Sequence, residues 1–151
     1  MIELLTILTA SLPLVELRGA IPLAIENGVH PMKAYLLGVI GNILPIPFVL
    51  FFLEKLEKKL RIISIFDRFF NWLFTRTRKK AKEKIDKYGT LGLVPFVAIP
   101  LPMTGAWTGV AIAYIFGIEF KKALLAISLG VAIAGIVVTG VTLGIFSISL
   151  L

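Results

Sequence analysis

Two uncharged runs dominate the pattern of apolar and polar positions along this chain. Ala34 to Leu53 gives 20 residues without a charge, and Ala123 to Leu151 gives 29. A membrane-crossing helix needs about 20 apolar residues, so the pattern predicts one span over 33–53 and another over 121–147. Each run follows an apolar segment broken by proline and glycine. Residues 2–28 carry Pro13, Gly19 and Pro22; residues 89–117 carry Pro100, Pro102, Gly105 and Gly109. The arms around these breaks are about 11–14 residues, or roughly 16–21 Å of helix, half to two-thirds of a bilayer. Such segments suit re-entrant hairpins buried against other helices. A Pro-kinked full span is the rival reading.

The two halves also resemble each other. Leu12, Pro13, Ala24, Gly28, Lys33, Ala34, Leu36 and Gly41 recur 89 positions later as Leu101, Pro102, Ala113, Gly117, Lys122, Ala123, Leu125 and Gly130. Those are 8 identities in the 30 aligned positions 12–41, without a gap. Weak internal symmetry in an apolar chain is a usual trace of a transporter-type fold. A hairpin crosses the membrane no times and a span once. Repeat one (1–53) then ends on the side opposite to its start, repeat two (89–151) returns, and the two are inverted.

Between them lies a different kind of sequence. Residues 54–88 hold 12 of the 16 Lys/Arg and 5 of the 9 acids, so the whole net charge of +7 sits there. Basic connections stay cytoplasmic, which places the linker inside and both termini outside a cytoplasmic membrane. Leu53, Leu56, Leu60, Ile63, Phe66, Phe70, Leu73, Thr77, Ala81, Ile85 and Tyr88 recur at steps of three and four, the spacing of an amphipathic helix. Phe66, Phe70 and Trp72 beside Arg76, Arg78, Lys79 and Lys80 read as contacts to lipid headgroups or to a second copy of the chain. Nucleic acid is not an expected partner. A homodimer or larger assembly is expected, because two spans make a thin wall for a sealed pathway.

Composition narrows the chemistry. The chain is 58% hydrophobic, above the roughly 45–50% of soluble domains, and the fold class expected is an all-α integral membrane protein. With no Cys and only His30, thiolate chemistry and a His-based metal cluster are excluded. No cofactor is expected, and no nucleophile–His–acid set suggests an enzyme. Glu3 in place of a basic start argues against a cleaved signal peptide.

The sharpest candidates are Glu16 and Arg18, near the start of a half-helix beginning after Pro13. A charge at bilayer depth is costly and normally placed for a reason. At i and i+2 on a helix the two point about 200° apart, so each is expected to need another partner. Arg18 suits phosphate or carboxylate through its donor fork, and Glu16 could take up a proton if desolvated. At the offset of 89 their counterparts are Gly105 and Trp107. Thr104, Thr108 and Trp107 would form a pocket wall, Asn42 could line a polar path, and half-helix N-termini would point N–H groups at a shared centre. His30 with Pro31 is expected to cap the turn before the first span.

The stretch Pro13-Leu14-Val15-Glu16-Leu17-Arg18-Gly19-Ala20-Ile21-Pro22, with the second motif Gly89 to Gly109, resembles the small multidrug export protein family, which looks like a distant branch of the DedA/VTT membrane protein superfamily. The resemblance implies two re-entrant hairpins, each followed by a membrane helix, and a role in moving lipid carriers or in lipid scrambling. The arginines that the DedA pattern places in the second hairpin are missing from Phe96-Val97-Ala98-Ile99-Pro100-Leu101-Pro102. The first functional expectation is a small inverted-repeat transporter, with proton coupling, for a small amphipathic or lipid-phosphate-like substrate bound between the hairpin tips. A lipid scramblase or polyprenyl-phosphate flippase is one alternative. A membrane scaffold that assembles through the linker is another.

Overall fold

A computed structural model describes residues 1–100 and 104–150, and all regular structure among them is helical. The helices are α1 (Ile2–Ser11), α2 (Glu16–Glu26), α3 (Pro31–Ile43), α4 (Ile46–Leu60), α5 (Ser64–Tyr88), α6 (Leu93–Ala98), α7 (Ala106–Ile115) and α8 (Phe120–Ser149), with a 3₁₀ turn at Gly89–Gly92. Two helical runs are long and apolar enough to cross a membrane: Pro31–Leu60 and Phe120–Ser149, of 30 residues each. Both exceed the expected bounds. The first combines α3 and α4, because Pro45 keeps helical dihedrals (φ −75°, ψ −19°) and the axis continues through it. Proline at a first helical turn loses no hydrogen bond that the helix would have made.

The 89-residue offset reappears in the backbone. α2 ends at Glu26 and α7 at Ile115, each followed by a glycine with positive φ: Gly28 at 82° and Gly117 at 63°. Val29 N–H donates to the Ala24 carbonyl at 3.0 Å, and Ile118 N–H to the Ala113 carbonyl at 2.9 Å. These are the six-to-one bonds of a glycine-terminated helix end. The next helices begin after His30 (φ −55°, ψ 135°) and Glu119 (φ −55°, ψ 139°), again 89 apart. His30 caps α3 as expected, its Nδ1 accepting from Met32 N–H at 3.3 Å.

In both halves the first arm packs against the long helix, α1 on α3 and α6 on α8. The approach is set by equivalent glycines. A Cβ on Gly41 would lie 2.6 Å from the Ile7 carbonyl oxygen, and one on Gly130 would lie 2.5 Å from Val97 Cβ. Small residues allow such approach where lipid removes the usual hydrophobic drive between helices. Leu17, Ile21, Val97, Val110, Ile127 and Val131 fill the core where α2, α6, α7 and α8 meet.

Three expectations change. The linker is not one helix. α4 continues to Leu60, Ile63 is extended (φ −92°, ψ 120°), and α5 starts afresh at Ser64. Apolar spacing continues through Ile62 and Ile63, so periodicity could not show the break. Nor do all the hairpin-breaking residues break helices. Pro13 and Pro100 lie in the gaps before α2 and after α6, and Gly105 immediately precedes α7, while Gly19 and Pro22 lie within α2 and Gly109 within α7. Gly109 is instead a close-approach site against Val97 and Ile127. Pro102 lies outside the described residues. Finally, the linker's apolar stripe faces inward in part. Thr77 and Ala81 are buried and α5 packs on α7 and the 3₁₀ turn, whereas Ile62, Ile65, Phe69 and Trp72 are exposed.

Replacing Gly41 or Gly130 by Leu should destabilise the fold by about 1–3 kcal/mol through overpacking. Gly144, with open space around it, should accept Leu within about 0.5 kcal/mol. Unfolding in detergent, followed by circular dichroism, reads the difference.

Candidate functional site

α2 begins on a strained residue. Glu16 is the one non-glycine with positive φ (52°) among the described residues. L-residues avoid this left-handed region unless the surroundings hold them there. What holds Glu16 is visible around its side chain, which is 3% exposed. Arg18 Nη2 donates to Glu16 Oε2 at 3.1 Å. The pair thus meets although helix geometry makes that difficult at i and i+2. The 200° separation applies to a regular helix, and the left-handed turn at Glu16 swings its side chain back over Arg18.

The pair also reaches the second half of the chain. Arg18 Nη2 donates to the Thr104 carbonyl at 2.5 Å. Glu16 Oε1 accepts a long 3.5 Å bond from the Trp107 backbone N–H, in the first turn of α7. A carboxylate therefore sits where the N–H groups and positive dipole end of α7 point. Gly105, the counterpart of Glu16 at the offset of 89, lies directly beneath the carboxylate. A Cβ there would collide with both carboxylate oxygens, and Gly105 itself has φ 120°. Its N–H closes the break by donating to the Phe96 carbonyl at 3.1 Å, while the Thr104 hydroxyl donates to the Ile99 carbonyl at 2.7 Å.

α3 and α8 complete the walls. Asn42 is buried and lines the same cavity as Glu16 and Arg18. Glu16, Arg18, Asn42, Pro100, Gly105 and Ala134 line a cavity of about 10 Å³, room for roughly one water. Asn42 Oδ1 and Trp107 Nε1 are buried without a hydrogen-bond partner in the protein. Buried polar atoms normally find partners; of these two residues Asn42 lines the cavity and Trp107 does not.

A second space joins this one at Arg18. A groove of about 360 Å³ runs between α2 and α8, lined by Arg18, Pro22, Glu26, Pro100, Val138, Val141, Thr142, Ile145 and Ser149. It lies within the usual range of ligand pockets, apolar with a few polar groups.

The structure thus brings together Glu16, Arg18, Asn42, Thr104, Gly105, Trp107 and Pro100. Thr108 follows Trp107 in the first turn of α7. The linker residues lie elsewhere. Phe70 is half-buried under Arg61, whose guanidinium lies 5.9 Å from its ring centre, and Trp72 carries Arg76 at 5.2 Å. Arg78 and Lys79 line a shallow basic trough on α5 with Lys82, while Phe66 and Lys80 are exposed on the same helix. Sequence reasoning missed Glu57, Arg61 and Tyr114, which cluster at the other end of α7. The i,i+4 spacing of Glu57 and Arg61 was a usable signal for a pair, whereas nothing local marks Tyr114. Among the described residues no group of His, Asp and Glu could hold a metal ion.

Gly105→Ala should displace Glu16 from α7 and cost about 1–3 kcal/mol from the backbone alone. Chemical shifts of the Trp107 backbone amide, compared with the parent chain, report whether the contact is lost.

Residues 16–137 match the family described as "Putative small multi-drug export protein". The matched stretch begins at Glu16, the first residue of α2, and runs through the linker, α6 and α7 into α8. No curated protein and no solved structure matches the chain. With most of its length inside the match, the chain belongs to the small multi-drug export protein family.

Proposed function

We propose that the chain is a membrane transporter of two inverted repeats, in which α1–α2 and α6–α7 are re-entrant hairpins and α3–α4 and α8 cross the bilayer. The linker is cytoplasmic and both termini lie outside. This is the layout that the resemblance to DedA/VTT proteins implies, and the family membership supports an export role. The substrate is a small amphipathic molecule that meets Glu16 and Arg18 between the hairpin tips. One observation carries this reading: a charged pair at the junction of both halves, Glu16 buried and Arg18 partly so, bonded to the backbone at the start of α7. At bilayer depth such a pair marks a substrate or ion path. The groove along α8 is the way in from outside, and rocking one half against the other exposes the site alternately.

Glu16 is the proton-coupling group in this reading. Gln keeps an acceptor for the Trp107 N–H and loses the exchangeable charge. Glu16→Gln should therefore fold normally and reduce proton-driven uptake of a fluorescent amphipathic cation into vesicles to background. Unchanged uptake would remove the coupling role.

A lipid scramblase is the second reading, favoured by the shape of the groove. Val137, Val141 and Ile145 are 40%, 56% and 62% exposed, so lipid tails could stay in the bilayer while a headgroup meets Arg18. In that case Arg18→Ala should slow exchange of a fluorescent phospholipid between leaflets far more than Glu16→Gln does.

The exposed stripe of Ile62, Ile65, Phe69 and Trp72 begins within one turn of the end of α4, where the first span leaves the bilayer. With Arg68 and Arg76 alongside, it suits the interface of an anionic membrane. In a Trp107→Phe chain the remaining indole, Trp72, should be quenched by brominated phospholipid in vesicles. Absence of quenching would favour a face between two copies of the chain.

A further inference from the structure

The central site is not the only place where a carboxylate from an earlier helix holds α7. Glu57, in the last turn of α4, is 7% exposed. It accepts from the Tyr114 hydroxyl on α7 and from Arg61 Nε. Arg61 Nη1 donates in turn to Asp67 and Asn71 at 2.8 Å each. The guanidinium lies over the Phe74 ring at 5.6 Å, and Phe74 packs on Tyr114 with ring centres 5.6 Å apart.

Tyr114 is the penultimate residue of α7 and Trp107 the second. α7 has 10 residues, about 15 Å of helix. It is a short rod with a carboxylate from an earlier helix, α2 or α4, at each end. The two ends differ in their surroundings. The groove reaches Arg18, beside the Glu16 end, from the Ser149 side. The Glu57 end carries the stacked rings of Phe70, Phe74 and Tyr114, each partly buried.

We propose that Glu57 and Tyr114 form a latch that holds α7 against α4 on the linker side, and that its release opens the central site towards that side. Glu57 is a positioning residue: it acts through α7 and meets no substrate. The purpose of the latch rests on the transport reading given above, whereas its geometry does not. A hydroxyl bonded to a carboxylate is a strong, charge-assisted contact. Removing the hydroxyl alone leaves Glu57 compensated by Arg61 and the Tyr114 ring in place on Phe74, so Tyr114→Phe tests the latch without unbalancing a buried charge.

The chain has no cysteine, which allows a single reporter. With Thr108→Cys in vesicles of known orientation, labelling by a membrane-impermeant maleimide from the linker side should rise about tenfold in Tyr114→Phe and in Glu57→Gln. The double variant should be no faster than the faster single one, because both changes release the same contact. Labelling from the opposite side should stay at the parent rate. Three results would overturn the proposal: an unchanged rate in folded Tyr114→Phe, a double variant whose rise is the product of the single rises, or an equal rise on both sides, which is general loosening. If Glu57→Gln fails to fold, the sidedness of Tyr114→Phe decides alone. A chain that labels as expected but moves no substrate would keep the latch and remove the transport reading.

Discussion

The carboxylate of Glu16 has two partners to satisfy and one volume to fill. It neutralises Arg18, it faces the N-terminal end of α7, and it occupies the space over Gly105. Each demand depends on the others. Without the positive φ at Glu16 the side chain would not reach Arg18, and without a glycine at 105 it would have no room. Burying a charge pair is unfavourable unless its remaining hydrogen bonds are met. Here the Thr104 carbonyl takes a bond from Arg18 and the Trp107 N–H gives one to Glu16. The junction of α2 with α7 therefore stands or falls as a unit rather than as separate contacts.

The repeat was legible because it is written in residue types that backbone geometry requires. Gly28 and Gly117 recur because each follows a helix whose end needs a positive φ. Gly41 and Gly130 recur because a neighbouring helix occupies the space of a side chain. The long apolar runs were legible for the reason that any span is: length and absence of charge. The central grouping of Glu16, Arg18, Asn42 and Trp107 followed from placing two broken helices tip to tip.

What could not be read is equally physical. Whether Glu16 faces Arg18 depends on one backbone angle, and residue type does not give a left-handed glutamate. Pro22 breaks nothing, since its ring sits inside α2. The turn at residues 61–63 is set by Arg61 bonding backwards to Glu57 and forwards to Asp67 and Asn71, a three-way contact invisible to periodicity. Tyr114 lies in an uncharged stretch, and its partner is 57 residues away.

The meeting of Glu16 with Gly105 has a consequence for the 89-residue offset that relates the two halves. Positions 16 and 105 are equivalent in the two halves, yet they touch. Where equivalent positions converge on one spot, a single side chain can occupy it. A second carboxylate at 105 would need the same volume and would place like charges in contact. The two halves are thus compelled to differ at this point, however closely they agree elsewhere. A chain built from two matching parts acquires at its middle one charged lip and one bare one, and with them a front and a back.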